Sequence, residues 1–118
     1  MSYRGERGRT QIAIIQIKEL EGGLKLFHYD TGRHPTTSEG LFALVRNPNT
    51  GARWLGPYLQ RAEIPRDPWD RPYLYRCPGR HGDYDLFSYG ADGVEGGDGV
   101  SADITSWEGA KPRPGSKQ

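Results

Sequence analysis

The stretch "DLFSYGADGVEGGDGVSADITSW", residues 85–107, places the carboxylates of Asp92, Asp98 and Asp103 among Gly90, Gly93, Gly96, Gly97 and Gly99. Spaced acids offer hard oxygen ligands, and glycines let a backbone turn its carbonyls inward at low steric cost, a combination that suits calcium. Without a cation the carboxylates repel one another. The same composition also describes a solvated turn-rich loop, because Asp and Gly are ordinary turn residues. Ile104 and Trp107 favour order, since an apolar pair just after the loop can dock its far end on a core.

Two familiar calcium patterns fail. An EF-hand counted from Asp92 would need oxygen ligands at Val94 and Gly96, the invariant glycine at Gly97 and a glutamate at Asp103. "GGDGVSAD" begins like the nonapeptide calcium repeat, but Ser101 stands where Asp is required and there is a single copy.

Other side chains could do chemistry. His28, His34 and His81 are candidate bases, Ser88 a candidate nucleophile, and Asp83 with Asp85 a candidate carboxylate pair. None lies in a nucleophile–base–orienter pattern, which argues against an enzyme. Asp83 and Asp85 flank Tyr84 and are expected on one solvated strand face. Cys77, the one cysteine, excludes an internal disulfide and a cysteine-rich zinc site, and reads as a small buried strand residue. Trp54, Trp69 and Trp107 read as anchors, with a carbohydrate platform as the alternative.

The elements that must position these groups follow from periodicity. Ala13, Ile17, Leu20, Leu24 and Phe27 recur at spacings of four, three, four and three, which predicts a helix over 10–30, with Ile14 and Ile15 widening its stripe and Gly32 as its stop. Gly22-Gly23 is its weak point, and Arg4–Arg9 is either a frayed end or its continuation. Thr36 and Glu39 have the spacing of a capping box before Leu41, Phe42, Leu44 and Val45, predicting a short second helix. Residues 46–72 are rich in Pro and Gly and read as loop, pinned by Trp54, Tyr58, Leu59, Ile64 and Trp69. "YLYRC" (73–77) and "DYDLFS" (83–88) read as a hairpin with a five-residue connection, Pro78–Gly82. Residues 1–110 are expected to form one domain, with 111–118 a disordered tail.

The 118 residues carry 16 basic and 15 acidic side chains, a balance that gives no field for nucleic acid. Mean hydropathy is −0.81, so the core must be small and rely on its aromatics. No apolar run is long enough to span a bilayer.

"HPTTSEGLFALV", "WLGPYL", "IPRDPWDRPYLY", "PGRHGDYDLFSYGADG" and "ADITSW" occur in this order. Together they resemble the major pseudopilins of the bacterial type II secretion system, the GspG family, over about residues 10–107. The resemblance implies an α+β, type IV pilin-like fold, a long N-terminal helix packed on a small antiparallel sheet, and a calcium-binding loop. It points to Asp92 and Asp103 as side-chain ligands, with the carbonyls of Tyr89 and Val94, and less directly to Asp98 and Ser101. It places Ile12, Ile14 and Ile15 in subunit packing. The function implied is that of a structural subunit of a periplasmic pseudopilus, polymerising with itself and meeting minor pseudopilins and an inner-membrane assembly platform. A type IV pilus, adhesion or DNA-uptake subunit is the alternative. The family begins with a peptidase site and an apolar membrane anchor, neither of which is in this sequence, so the chain is expected to be the periplasmic part. Asp70 stands where the family commonly has Gly; Asp tolerates left-handed geometry, so the turn is expected to survive.

Overall fold

A computed structural model describes residues 3–51, 53–96, 103–107 and 109–110. Among these described residues one helix, α1 (Tyr3–Thr31), precedes a 3-10 turn (Leu41–Leu44) and four strands, β1 (Leu74–Arg76), β2 (Asp85–Ser88), β3 (Ile104–Thr105) and β4 (Gly109–Ala110). The strands form one antiparallel sheet in the order β1-β2-β3-β4.

The α1 seam is as predicted: Ala13, Ile17, Leu20, Leu24 and Phe27 are all buried. They meet Leu41, Ala43 and Leu44 of the 3-10 turn, Leu59, Tyr73, Leu86 of β2 and Ile104 of β3. Each such side chain contributes about 1.5–3 kcal/mol by leaving water. The helix begins seven residues before the predicted start, at Tyr3 rather than residue 10. Arg7, Gly8 and Arg9 are exposed, so that first part of the helix sends no apolar signal. At its other end Gly32 adopts φ 82 and donates its N–H to the His28 carbonyl at 2.8 Å, closing the last turn.

The glycine pair does not interrupt α1. A Cβ on Gly23 would lie 2.8 Å from Leu59 Cδ2 and 3.2 Å from Leu44 Cδ1, so this glycine lets the chain at Leu59 approach the helix. Gly22 faces open space.

The capping box forms, but no α-helix follows. Thr36 N–H donates to Glu39 Oε1 at 2.8 Å and Glu39 N–H to Thr36 Oγ1 at 3.1 Å. Gly40 then takes φ 65, outside helical space, and the chain restarts as the short 3-10 turn. Glu39 also accepts both Arg33 guanidinium N–H groups, at 2.7 and 2.9 Å, and the Thr50 hydroxyl. The loop that follows is pinned as expected: Leu59 is in the core, with Trp54, Tyr58, Ile64 and Trp69 packed against it. Trp54 Nε1 donates to the Ala43 carbonyl at 2.6 Å.

The hairpin is shorter in strand and longer in connection than predicted, with residues 77–84 joining β1 to β2. Two expectations fail here. Asp83 is exposed but Asp85 is completely buried, because the connection before β2 folds over it and the Arg80 and His81 N–H groups and the Arg76 guanidinium close on its carboxylate. Cys77 lies past the end of β1 and is half-buried; its thiol contacts the Asp83 carbonyl at 3.4 Å.

Candidate functional site: the acidic loop and its anchors

The loop leaves β2 at Ser88 and returns at Asp103. Its entrance is built by the Asp-Pro-Trp-Asp turn. Asp67, 4% exposed, accepts the N–H groups of Trp69 at 3.0 Å and Arg71 at 2.9 Å through Oδ1. Its Oδ2 accepts the Ser88 hydroxyl at 2.8 Å, and Ser88 Oγ in turn accepts Gly90 N–H at 3.1 Å. Asp70 holds φ 65 in this turn, as its tolerance of left-handed geometry predicts. The turn also aims Arg71 at the loop: its Nη1 donates to the Gly90 carbonyl at 3.1 Å. Its guanidinium lies so close to Gly93 (φ 69) that a Cβ there would be 2.5 Å from Cζ.

The loop's exit is fixed from the other side. Gly96 N–H donates to both Asp103 carboxylate oxygens, at 3.0 and 3.1 Å, so the two ends of the segment between them are held together. Ile104 enters the core, and Ser106 N–H donates to the Leu86 carbonyl at 2.8 Å while its hydroxyl accepts Leu86 N–H at 3.2 Å. Trp107 stacks on His81 with centroids 3.9 Å apart and planes 4° from parallel, and meets Phe87 edge-on at 5.8 Å.

Beneath that stack lies Asp85. It accepts the N–H groups of Arg80 and His81 at 3.0 Å each, Arg76 Nε at 2.9 Å, and faces His81 Nδ1 at 3.3 Å. Burial alone would raise its pKa, but the two backbone donors, Arg76 and His81 outweigh it and bring the carboxyl below its ordinary value. One buried carboxylate therefore shapes the hairpin connection and seats the ring on which the loop's far end rests. A cleft of 390 Å³ opens beside it, lined in part by Arg76, Arg80, Glu95, Asp103 and Trp107.

The structure brings Asp103 into this architecture, while Asp92 is exposed and turns its Oδ1 to Val94 N–H at 3.0 Å. The Tyr89 ring packs on Phe87 at 5.5 Å, and Val94 is exposed. Asp98 and Ser101 lie outside the described residues. The donor chemistry of the loop, carboxylates and backbone carbonyls, fits a hard cation. Among the described residues no three His, Cys, Asp or Glu side chains stand together as a metal cage. Asp67, Ser88, Arg71 and Asp85, which hold the loop, were not singled out by sequence as its supports. Two signals pointed to them: Asp67 opens the conspicuous Asp-Pro-Trp stretch, and Asp85 interrupts an apolar strand.

Two of the candidate catalytic groups are engaged by the fold. Ser88 spends its hydroxyl on Asp67, and Asp85 its oxygens on backbone and guanidinium donors. The tryptophans act as anchors: Trp54 and Trp69 pack against the core and Trp107 on His81.

Residues 1–107 match the family model described as type II secretion system (T2SS), protein G. The chain is 42% identical over 105 residues to the type II secretion system core protein G of Vibrio cholerae, covering 86% of this chain and 70% of that protein. It is 38% identical over 109 residues to the core protein G of Pseudomonas aeruginosa, covering 89% and 75%. The fold is similar to the crystal structure of the major pseudopilin from the type 2 secretion system of enterohaemorrhagic Escherichia coli, with a TM-score of 0.71 at 32% identity over 88% of this chain and 90% of that one. A long helix on a small antiparallel sheet, a loop anchored at both ends and these matches lead to one conclusion: the chain belongs to the type II secretion system protein G family, the major pseudopilins.

Proposed function

We propose that the chain is the repeating structural subunit of a periplasmic pseudopilus that drives folded proteins across the outer membrane, breaking no bond itself. The observation that carries this reading is a second stripe on α1. Gly8, Ile12, Ile15, Glu19, Gly22, Leu26 and Tyr29 recur at spacings of four and three on the side opposite the buried seam. Ile12, Ile15, Leu26 and Tyr29 are 48%, 63%, 53% and 86% exposed. A helix apolar on both sides is suited to hold its own domain with one and a neighbouring subunit with the other. Ile12 and Ile15 belong to the outer stripe, whereas Ile14 packs partly against the subunit's own core.

Calcium belongs to the same reading. When bound it supplies positive charge that the acidic loop otherwise lacks. Asp92 and Asp103 would hold it, with the carbonyls of Tyr89 and Val94, while Asp98 and Ser101 are further candidates. The chain's own residues prepare this: the Asp67–Ser88–Gly90 relay sets the loop's entrance and the Gly96–Asp103 contact its closure. Arg71 already holds the Gly90 carbonyl at the loop's entrance. The ordered loop would form part of the surface that meets the next subunit, and minor pseudopilins and an inner-membrane platform would share in assembly. An inner-membrane anchor would lie outside the described helix, since no helix among the described residues is long and apolar enough to cross a membrane.

Deleting the gene and assaying secreted enzymes, twitching and DNA uptake tests the reading. Loss of secretion alone supports it; intact secretion with loss of twitching or uptake would instead make the protein a type IV pilus or uptake subunit.

A further inference from the structure

A second apolar surface lies in the chain after α1. A groove of 490 Å³ opens beside β1, an outer strand of the sheet, and is walled by Leu41, Phe42, Ile64, Pro65, Pro72 and Leu74. Phe42 stands exposed at its rim although Leu41 and Ala43 on either side of it are buried. Exposed apolar surface of this kind marks an interaction site. Two cations border it. Arg66 is held by Asp70, its Nη1 donating to the Asp70 carbonyl at 2.7 Å. Arg46 is exposed, stands 5.2 Å from the centroid of the Phe42 ring, and has no carboxylate partner among the described residues.

We infer that this groove receives the outer stripe of α1 from a second copy of the chain, with Leu26 and Tyr29 as the anchors. The inference rests on the subunit reading and names the surface that the stripe meets. Symmetry supplies the first argument. Two stripes packed on each other make an isologous contact, which closes as a dimer, whereas a filament grows through a heterologous contact between two different surfaces of one chain. The stripe therefore needs a distinct apolar partner, and the groove is one that the same chain carries.

Shape and charge agree with that pairing. Leu26 and Tyr29 are both exposed and three residues apart, the adjacent anchors by which an amphipathic helix lies in an apolar groove. Asp30 follows Tyr29 at the edge of the stripe; its Oδ2 accepts the Tyr58 hydroxyl at 2.9 Å and it has no ion pair among the described residues. Lys25 and His28 border the opposite side of the stripe. The acidic side is thus the one that faces the rim arginines, and Arg46 finds in Asp30 of the second copy the carboxylate it lacks in its own.

Cysteine cross-linking in a secreting strain tests the inference, with Cys77→Ser removing the native thiol and Leu26→Cys and Phe42→Cys placed at exposed positions. Oxidation should give a ladder of dimers, trimers and longer products when both cysteines are in one chain, and monomer from either single variant. Adding Arg46→Glu should reduce the ladder at least about threefold. A dimer from Leu26→Cys alone would make the stripe contact isologous and overturn the inference, as would a Phe42→Cys adduct with an exported protein. A photo-reactive phenylalanine analogue at Phe42, with the adduct mapped by mass spectrometry to the Leu26–Tyr29 segment, gives the same readout without engineered thiols. Normal secretion with no ladder and no such adduct would overturn the docking and leave the subunit reading intact. A ladder in cells whose secretion does not depend on the gene would support the docking and overturn the secretion role.

Discussion

The Asp67 carboxylate accepts the Ser88 hydroxyl at 2.8 Å, and both side chains are buried. This contact ties the Asp-Pro-Trp turn to the last residue of β2, where the acidic loop begins. Removing Asp67 strands three donors, the N–H groups of Trp69 and Arg71 and the Ser88 hydroxyl. Asp67→Ala should therefore cost about 2–4 kcal/mol, and Ser88→Ala about 1–2 kcal/mol. Urea unfolding of the two variants and their double mutant should give a coupling of at least about 1 kcal/mol; additive effects would mean that the turn and the loop entrance are independent.

The glycine pair of α1 separates backbone propensity from packing. Gly22→Ala meets nothing and should stabilise by about 0.5–1 kcal/mol, since alanine is the better helix former. Gly23→Ala puts a methyl against Leu59 and Leu44 and should destabilise by about 1–3 kcal/mol. Thermal melts of the two variants should move in opposite directions.

Glu39 links stability to pH. Hydrogen bonds from Arg33 lead in lowering its pKa from 4.5 to about 2, against burial and with help from Thr50, Thr36 and the Arg33 charge. A carboxylate depressed on folding stabilises fully above its unfolded value and loses that contribution as pH falls through the folded one. Because Arg33 is partly exposed, Glu39→Gln should cost only about 1–2 kcal/mol at neutral pH. The gap from wild type should hold down to about pH 4.5 and close towards pH 2. A gap independent of pH would contradict the ion pair's role.

The loop should respond to calcium. Ligand that binds only the folded chain stabilises it by about 2.7 kcal/mol at a hundredfold excess over Kd. Melting temperature should rise with calcium, less with magnesium, and not at all in Asp92→Ala. Identical melts in calcium and in chelator would reduce residues 89–103 to a connection that needs no cation.

How much of this was legible in the sequence depended on whether a signal was local. The α1 seam was, because the spacing from Ala13 to Phe27 states which face is buried. The start of the helix was not, since the exposed Arg7, Gly8 and Arg9 carry no apolar period. At Thr36 and Glu39 the local signal was real and the inference from it too long: the box caps a turn that Gly40 ends. Asp85 was misread because alternation tells which residues share a strand face, not which neighbouring backbone folds over that face. The hairpin connection itself turns the Arg80 and His81 N–H groups onto the carboxylate, and spacing along the strand does not encode that. Motif resemblance supplied the fold and the family, whereas Asp67, Ser88 and Arg71 act through contacts between distant segments that spacing does not encode.

The subunit reading rests on the outer stripe of α1, and Ile15→Asp tests it most directly. Ile15 is 63% exposed, so the substitution should leave the melting temperature of the isolated protein within about 1–2 °C of wild type while placing a charge in the subunit contact. Introduced into the gene in a secreting strain, it should abolish export of secreted enzymes with the protein still present at normal level. Normal secretion by cells carrying Ile15→Asp would contradict the account, because the exposed stripe would then have no partner that matters.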